Sequence, residues 1–204
     1  MFLSQKFSKA VQYAAEVHKT QKRKGTDIPY IAHLLAVASI ALEYGANEDE
    51  AIAALLHDAP EDAGGQDRLE EIRQQFGDIV ADIVQDCSDT FDIPKPPWKK
   101  RKKEYIDSIK GKSSSSRFVS AADKLHNARS ILLDYRTIGD ALWPRFATGK
   151  VDVLWYYRSL VTAYGVGGSF RRQGFGDLLK DLNDVVSKIH RLTAPNPVIS
   201  DEAI

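Results

Sequence analysis

The sequence predicts an all-α globule of about eight to ten helices, and three observations carry that prediction. Apolar residues recur at three- and four-residue spacing along most of the chain. Few segments alternate with period two, the mark of a half-buried strand. Glycines and prolines fall mostly between the periodic stretches rather than inside them.

The first helix sets Phe7, Val11, Ala14, Ala15 and His18 on one face. A polar turn, KTQKRKGTDIP, follows, broken by Gly25 and Pro29. Pro29 suits the first turn of the next helix, YIAHLLAVASIALEYG, with Gly45 past its end. Asn47 is placed to cap EDEAIAALLHD, whose first turn is acidic. Pro60 disfavours the α conformation at Ala59, so this helix should end or reset there. DRLEEIRQQFG and DIVADIVQDCSD read as two short helices. The proline-rich loop TFDIPKPPWKKRKK leads into the helix KKRKKEYIDSIK. Residues 111–116 break the pattern before SRFVSAADKLHNARSILLDY, a long helix with an apolar face. Further helices are expected over 138–147, 150–164 and 174–191, with VGGSFRRQGFG a flexible joint before the last. No internal repeat and no linker to a second domain stands out. The expected organisation is one domain over 1–195, with 196–204 a frayed tail.

Composition narrows the function classes. A chain of 204 residues, 43% hydrophobic, can bury a proper core. Its 28 basic and 28 acidic residues cancel, so no global field draws in nucleic acid and any anion site must be local. The single cysteine, Cys87, rules out an internal disulfide and suits a reducing compartment. No apolar run is long enough to span a bilayer, and the N-terminus has no signal-peptide pattern. The expectation is a soluble, cytoplasmic protein without nucleic-acid or membrane partners, with homo-oligomerisation left open.

The chemistry gathers at LLHDAPEDAGG, where an apolar helix ends in four ionisable groups. His57 and Asp58 stand there together; His33 and Asp123 stand in equally apolar stretches, IAHLL and SAADKL. Unpaired charges in such surroundings are costly unless they share a partner. One divalent cation can satisfy all four, with imidazole and carboxylate ligands. Adjacent residues of a helix diverge by about a hundred degrees, so His57 and Asp58 can grip one ion only near a helix end. Open positions on the ion would suit catalysis rather than a closed structural site. The turn forced by Pro60 would bring Glu61 and Asp62 beside the ion without ligating it, where a carboxylate can take a proton from water or orient it. Each of these residues alone has an ordinary structural explanation; the joint pattern does not. Upstream, Arg23 and Lys24 sit in a turn just before the helix of His33, where cations and free N–H groups can hold phosphate. An exposed basic turn is the alternative reading of that pair.

These motifs, HKTQKRKGTDIPYIAH, LLHDAPEDAGG and AADKLHNARSI in that order, resemble the hydrolase domain of RelA/SpoT-type enzymes, members of the HD-domain metal-dependent phosphohydrolases. DTFD, DIPKPPWKKRKKEYI and LWYYRSL extend the resemblance toward the free-standing small alarmone hydrolases. The resemblance implies an all-helical HD fold and one manganese ion on His33, His57, Asp58 and Asp123. It implies that Glu61 and Asp62 work on the attacking water. Arg23 and Lys24 map to contacts with base and phosphates, Asn127 to the ribose pocket, and Ser130 to the vicinity of the base. The implied reaction removes the 3′-pyrophosphate of guanosine 3′,5′-bis(diphosphate), releasing pyrophosphate and GDP. Pro60 and Ala63 depart from the bifunctional members, so the water-handling turn should differ in shape while keeping its acids. No synthetase pattern is present, so degradation without synthesis is expected. Free-standing relatives also favour adenosine alarmones or other nucleotide phosphates, which leaves the base open. A non-catalytic alarmone sensor is a third reading, against which the intact Glu61–Asp62 pair argues.

Within KPPWKKRKK, Arg101 is the expected phosphate contact, while Lys99, Lys100, Lys102 and Lys103 are assigned to a solvated face. Trp98 or Tyr105 is placed near the base. Trp155, Tyr156 and Tyr157 are assigned to helix packing, with Arg158 a candidate to reach the pocket. His18 is expected to cap carbonyls, His126 to be partly buried, His190 exposed and Cys87 a small buried residue.

Overall fold

The computed structural model describes residues 2–92, 94–165 and 174–194. Among these the helical periodicity becomes ten α-helices: α1 (Gln5–Val17), α2 (Ile31–Glu43), α3 (Glu48–Leu56), α4 (Ala59–Asp62), α5 (Gly65–Phe76), α6 (Asp78–Cys87), α7 (Trp98–Ser108), α8 (Ser114–Ile138), α9 (Gly149–Gly165) and α10 (Phe175–Thr193). Two 3₁₀ segments, Ile109–Gly111 and Gly139–Arg145, complete the order. Extended pairing among the described residues is a single bridge, Lys22 with Pro29, which closes the basic turn between α1 and α2.

Local chemistry explains the ends. Asn47 accepts from the Glu50 N–H at 3.0 Å while Glu50 reaches back to the Asn47 N–H at 2.8 Å, a reciprocal cap worth about 1 kcal/mol. Pro60 lies in the first turn of α4, where its missing N–H costs nothing, so the helix does reset at this proline. The stretch expected as a helix over 138–147 is instead the 3₁₀ segment Gly139–Arg145. Gly139 takes a positive φ of 56° and Pro144 removes a donor, which together prevent a regular α turn. The expected flexible joint falls largely on residues 166–173 and the expected tail on 196–204, outside the described residues.

Helix α8 is the axis of the molecule. It packs against α2, α3, α6, α9 and α10, and buries Phe118, Val119, Ala121, Ala122, Leu125 and Ala128. Helix α3 has no solvent face over Glu50–Leu56. Helix α10 closes the other side with Leu178, Leu182, Val186 and Ile189 on one stripe, each burial stabilising by roughly 2 kcal/mol. Its entry needs Gly174: φ is 82°, and a Cβ there would sit 2.1 Å from the Tyr44 carbonyl oxygen. No described helix is long and apolar enough to cross a membrane. The consequence for function is that α2, the α3–α4 junction and α8 meet at one buried point.

Candidate metal centre and its cavity

His33 lies in the first turn of α2, His57 caps the C-terminus of α3, Asp58 links α3 to α4, and Asp123 is midway along α8. Their polar atoms converge. His33 Nε2 stands 3.4 Å from Asp58 Oδ2 and 3.3 Å from Asp123 Oδ1. His57 Nε2 stands 3.0 Å and 3.5 Å from the same two oxygens. Both Nε2 atoms are buried and have no hydrogen-bond partner among the described residues. Such orphaned groups are costly unless something occupies the space they face.

The outer bonds fix how those atoms point. His57 Nδ1 donates to the Ala54 carbonyl at 2.9 Å, which aims Nε2 at Asp58 and Asp123. His33 Nδ1 meets His126 Nδ1 at 2.7 Å. Asp58 Oδ2 accepts from the Tyr30 hydroxyl at 2.7 Å. Asp123 accepts from Asn127 Nδ2 at 2.5 Å and Lys124 Nζ at 2.6 Å. Burial opposes ionisation of both aspartates, but His57 beside Asp58 and Lys124 beside Asp123 outweigh it and hold both carboxyls well below the usual range. Burial likewise opposes charge on His57, yet Asp58 and Asp123 raise its proton affinity. The cluster is compact and largely buried, and its mixed nitrogen and oxygen donors suit a divalent cation. Among the described residues, ligand atoms of His33, His57 and Asp58 lie within 4.8 Å of one another, a set that could hold such an ion, and Asp123 stands beside it.

The two acids of α4 face different partners. Glu61 Oε1 accepts from Lys95 Nζ at 2.9 Å and Oε2 from the Asp89 N–H at 3.5 Å. Burial and the nearby Asp89 raise the Glu61 carboxyl above its ordinary value. Asp62 Oδ2 accepts from Gln21 Nε2 at 2.8 Å; desolvation and Asp58 raise it. His18 does not cap a carbonyl with its ring. Nδ1 is bonded to Gln21 Oε1 at 2.6 Å, and the ring stacks on Tyr30.

A cavity of about 470 Å³ opens beside the cluster, within the size range of small-molecule sites. Arg23, Lys24, Asn127 and Ser130 line it, so the basic turn and the α8 residues singled out from sequence share one space. Arg23 donates to Asn127 Oδ1 at 2.7 Å, and the same amide donates to Asp123, tying the turn to the metal centre. Arg101 does not line the cavity. Its guanidinium is taken up by Asp89 at 2.6–2.7 Å and by the Pro96 carbonyl. Lys102, expected on a solvated face, lines the cavity instead and contacts the Tyr156 ring at 5.2 Å. Trp98, Tyr156 and Tyr157 also line it, whereas Tyr105 is buried against Ser120 and Arg158 is exposed away from it. His190, expected exposed, is half-buried; Cys87 is likewise half-buried, and burial pushes its thiol up to about 11.

Lys124, His126, Tyr30 and Arg145 are site residues that sequence reasoning missed. Lys124 and His126 lie inside the AADKLHN motif, so adjacency to Asp123 was the available signal. Arg145 sits in the 3₁₀ segment and carried none.

Comparison with known proteins gives a consistent picture. The model of the family described as HD domain matches residues 10–142. A guanosine-3′,5′-bis(diphosphate) 3′-pyrophosphohydrolase of Xenopus tropicalis is 39% identical over 125 residues, covering 60% of this chain and 67% of that protein. Its Drosophila melanogaster counterpart is 32% identical over 137 residues, 66% and 74% of the two chains. Among solved structures, a metazoan orthologue of SpoT superposes with a TM-score of 0.73 at 23% identity, covering 93% of this chain and 98% of that one, a likeness of fold.

Proposed function

The chain belongs to the HD-domain family, and from that premise we propose that it is a manganese-dependent hydrolase removing the 3′-pyrophosphate of guanosine 3′,5′-bis(diphosphate). The observation that carries the reading is the pair of buried Nε2 atoms of His33 and His57, unpartnered among the described residues and facing Asp58 and Asp123 beside a cationic cavity. Relatives whose names state this activity are 32–39% identical over 125–137 residues, and the HD-domain match over residues 10–142 includes all four donors.

In this reading His33, His57, Asp58 and Asp123 hold the ion. Bound there, a divalent cation supplies Lewis-acid polarisation of a phosphoryl oxygen and lowers the pKa of coordinated water. The protein does the rest. Arg23, Lys24, Lys102 and Lys124 hold the substrate's phosphates, neutralising charge that develops in the transition state. Asn127, already bridging Arg23 and Asp123, places the ribose between turn and metal centre. Water attacks the phosphorus bonded to the ribose 3′-oxygen; that P–O bond breaks, and the 3′-oxygen leaves with a proton as GDP while pyrophosphate departs. Glu61 and Asp62, both raised in proton affinity, accept or steer the proton of the attacking water.

Hydrolysis of guanosine 3′,5′-bis(diphosphate) with added manganese, followed by phosphorus NMR, should release pyrophosphate. Asp58→Ala should lose metal and turnover together. Glu61→Ala should keep the metal and lose roughly 10²–10⁴-fold in turnover. Full activity of metal-depleted Asp58→Ala would sink the scheme.

A further inference from the structure

The cavity carries five cations and one acid. Arg23, Lys24, Lys102, Lys124 and Arg145 suit a polyphosphate; Asp134 is the carboxylate among the described lining residues. A carboxylate beside bound phosphates would weaken binding through like-charge repulsion, unless it faces a part of the ligand rich in donors.

Its position says which part. Asp123, Asn127, Ser130 and Asp134 lie on one helix, α8. At 100° per residue they fall within about 60° of arc, so they form one row along the helix. The row starts at the metal centre with Asp123 and runs past Asn127 and Ser130. Asp134 stands about 16 Å beyond Asp123 along the axis. A nucleotide laid along this row with its 3′-phosphorus at the metal centre and its ribose at Asn127 brings its base toward Ser130 and Asp134.

Asp134 is also held in place. Its Oδ2 accepts from the Arg145 guanidinium at 2.9 Å, while Oδ1 has no partner among the described residues. Arg145 in turn packs on the basic turn at Gly25, where a Cβ would come within 2.9 Å of its Cδ. Gly25 has a φ of 72°, so any side chain there would be strained and would crowd Arg145. The turn that carries Arg23 and Lys24 therefore braces the arginine that orients the acid.

We propose, resting on the function given above, that Asp134 reads the base and selects guanine over adenine. Ionised carboxylate is acceptor-only. The Watson–Crick edge of guanine offers N1–H and N2–H donors side by side, which one carboxylate can accept. Adenine offers one donor, N6–H, beside the N1 lone pair, which the carboxylate repels. An asparagine side chain reverses the match, since its oxygen accepts from N6–H while its amide donates to N1.

The test is Asp134→Asn with the guanine and adenine alarmones in parallel, in manganese. The guanine-to-adenine ratio of kcat/KM should fall by about 10–100-fold, carried by KM rather than kcat because the base contact is equal in ground and transition states. Arg145→Gln separates an orienting role from a structural one. If Asp134 serves only the ion pair, both variants will weaken both substrates alike and leave the ratio unmoved, which overturns the proposal. An adenine-preferring wild type overturns it as well. Calorimetric binding of GDP and ADP reads the same contact without turnover. Should neither alarmone be hydrolysed, the proposed reaction fails, and a GDP preference lost in Asp134→Asn would still uphold base selection; equal binding of GDP and ADP by the wild type would end it.

Discussion

His33 turns Nε2 toward the carboxylates of Asp58 and Asp123 and Nδ1 toward Nδ1 of His126, on a helix 93 residues away in sequence. If His33 offers its Nε2 lone pair inward, its proton sits on Nδ1, and His126 must accept it. His126 is suited to that task. Burial, then His33 and Arg23, push its pKa down to about 4, so it is neutral and keeps an acceptor lone pair near pH 7. Removing the acceptor frees the ring of His33 to rotate or change tautomer. His126→Phe should therefore weaken manganese binding by about 10–100-fold in a calorimetric titration, whatever its effect on turnover. Unchanged affinity would assign His126 to the cavity wall alone. The four candidate metal donors stood out in the sequence because buried histidine and aspartate in apolar helices ask for a partner. The pairing of His33 with His126 was not, since nothing local distinguishes one histidine's partner from another's.

The clearest case at the scale of an element is α7. Read alone, WKKRKKEY looks like a solvated basic face, and Lys99, Lys100 and Lys103 do stand exposed. Arg101 and Lys102 instead turn inward onto Asp89, whose side chain is 3% exposed. That acid anchors the start of α7 to the end of α6, and its own N–H reaches Glu61. Burial favours the neutral acid, but Lys102 and Arg101 outweigh it and hold Asp89 below the usual carboxylate range. A depressed folded pKa stabilises the fold above the unfolded value, and that stability is lost as pH falls through the folded one. Asp89→Asn leaves two cations without their counter-charge and should cost about 3 kcal/mol near neutral pH. The gap in Tm between variant and wild type should close as pH drops below about 4. A gap that stays constant down to the acid limit would mean that charge is not its cause. The helix itself was legible from periodicity. Which two of its cations turn inward was not, because the acid that selects them lies on another segment.

Across the whole molecule, the proposed metal donors come from three places that meet only when α2, the α3–α4 junction and α8 pack together. The unfolded chain holds no such site, so an ion bound there stabilises the fold by mass action. At a hundredfold excess over its Kd the gain is about 2.7 kcal/mol, equivalent to roughly 5–10 °C in Tm for a chain of this size. A manganese titration followed by thermal melting should show that rise in the wild type and none in Asp58→Ala. An equal rise in both would place the ion elsewhere.

The sequence by itself determined the helical class, the reset at Pro60, the cap at Asn47 and the residue types that gather at the candidate metal centre. Each follows from rules that act over a few residues: period, φ restriction, side-chain capping and the cost of burying a charge. Only the tertiary structure decided that Lys102 faces the cavity while Arg101 does not, that His126 stands behind His33, and that Arg145 braces Asp134. Those choices depend on partners 12 and 93 residues distant for the first two, and on a 3₁₀ bend for the third. Local pattern does not encode which surfaces a packed core brings face to face.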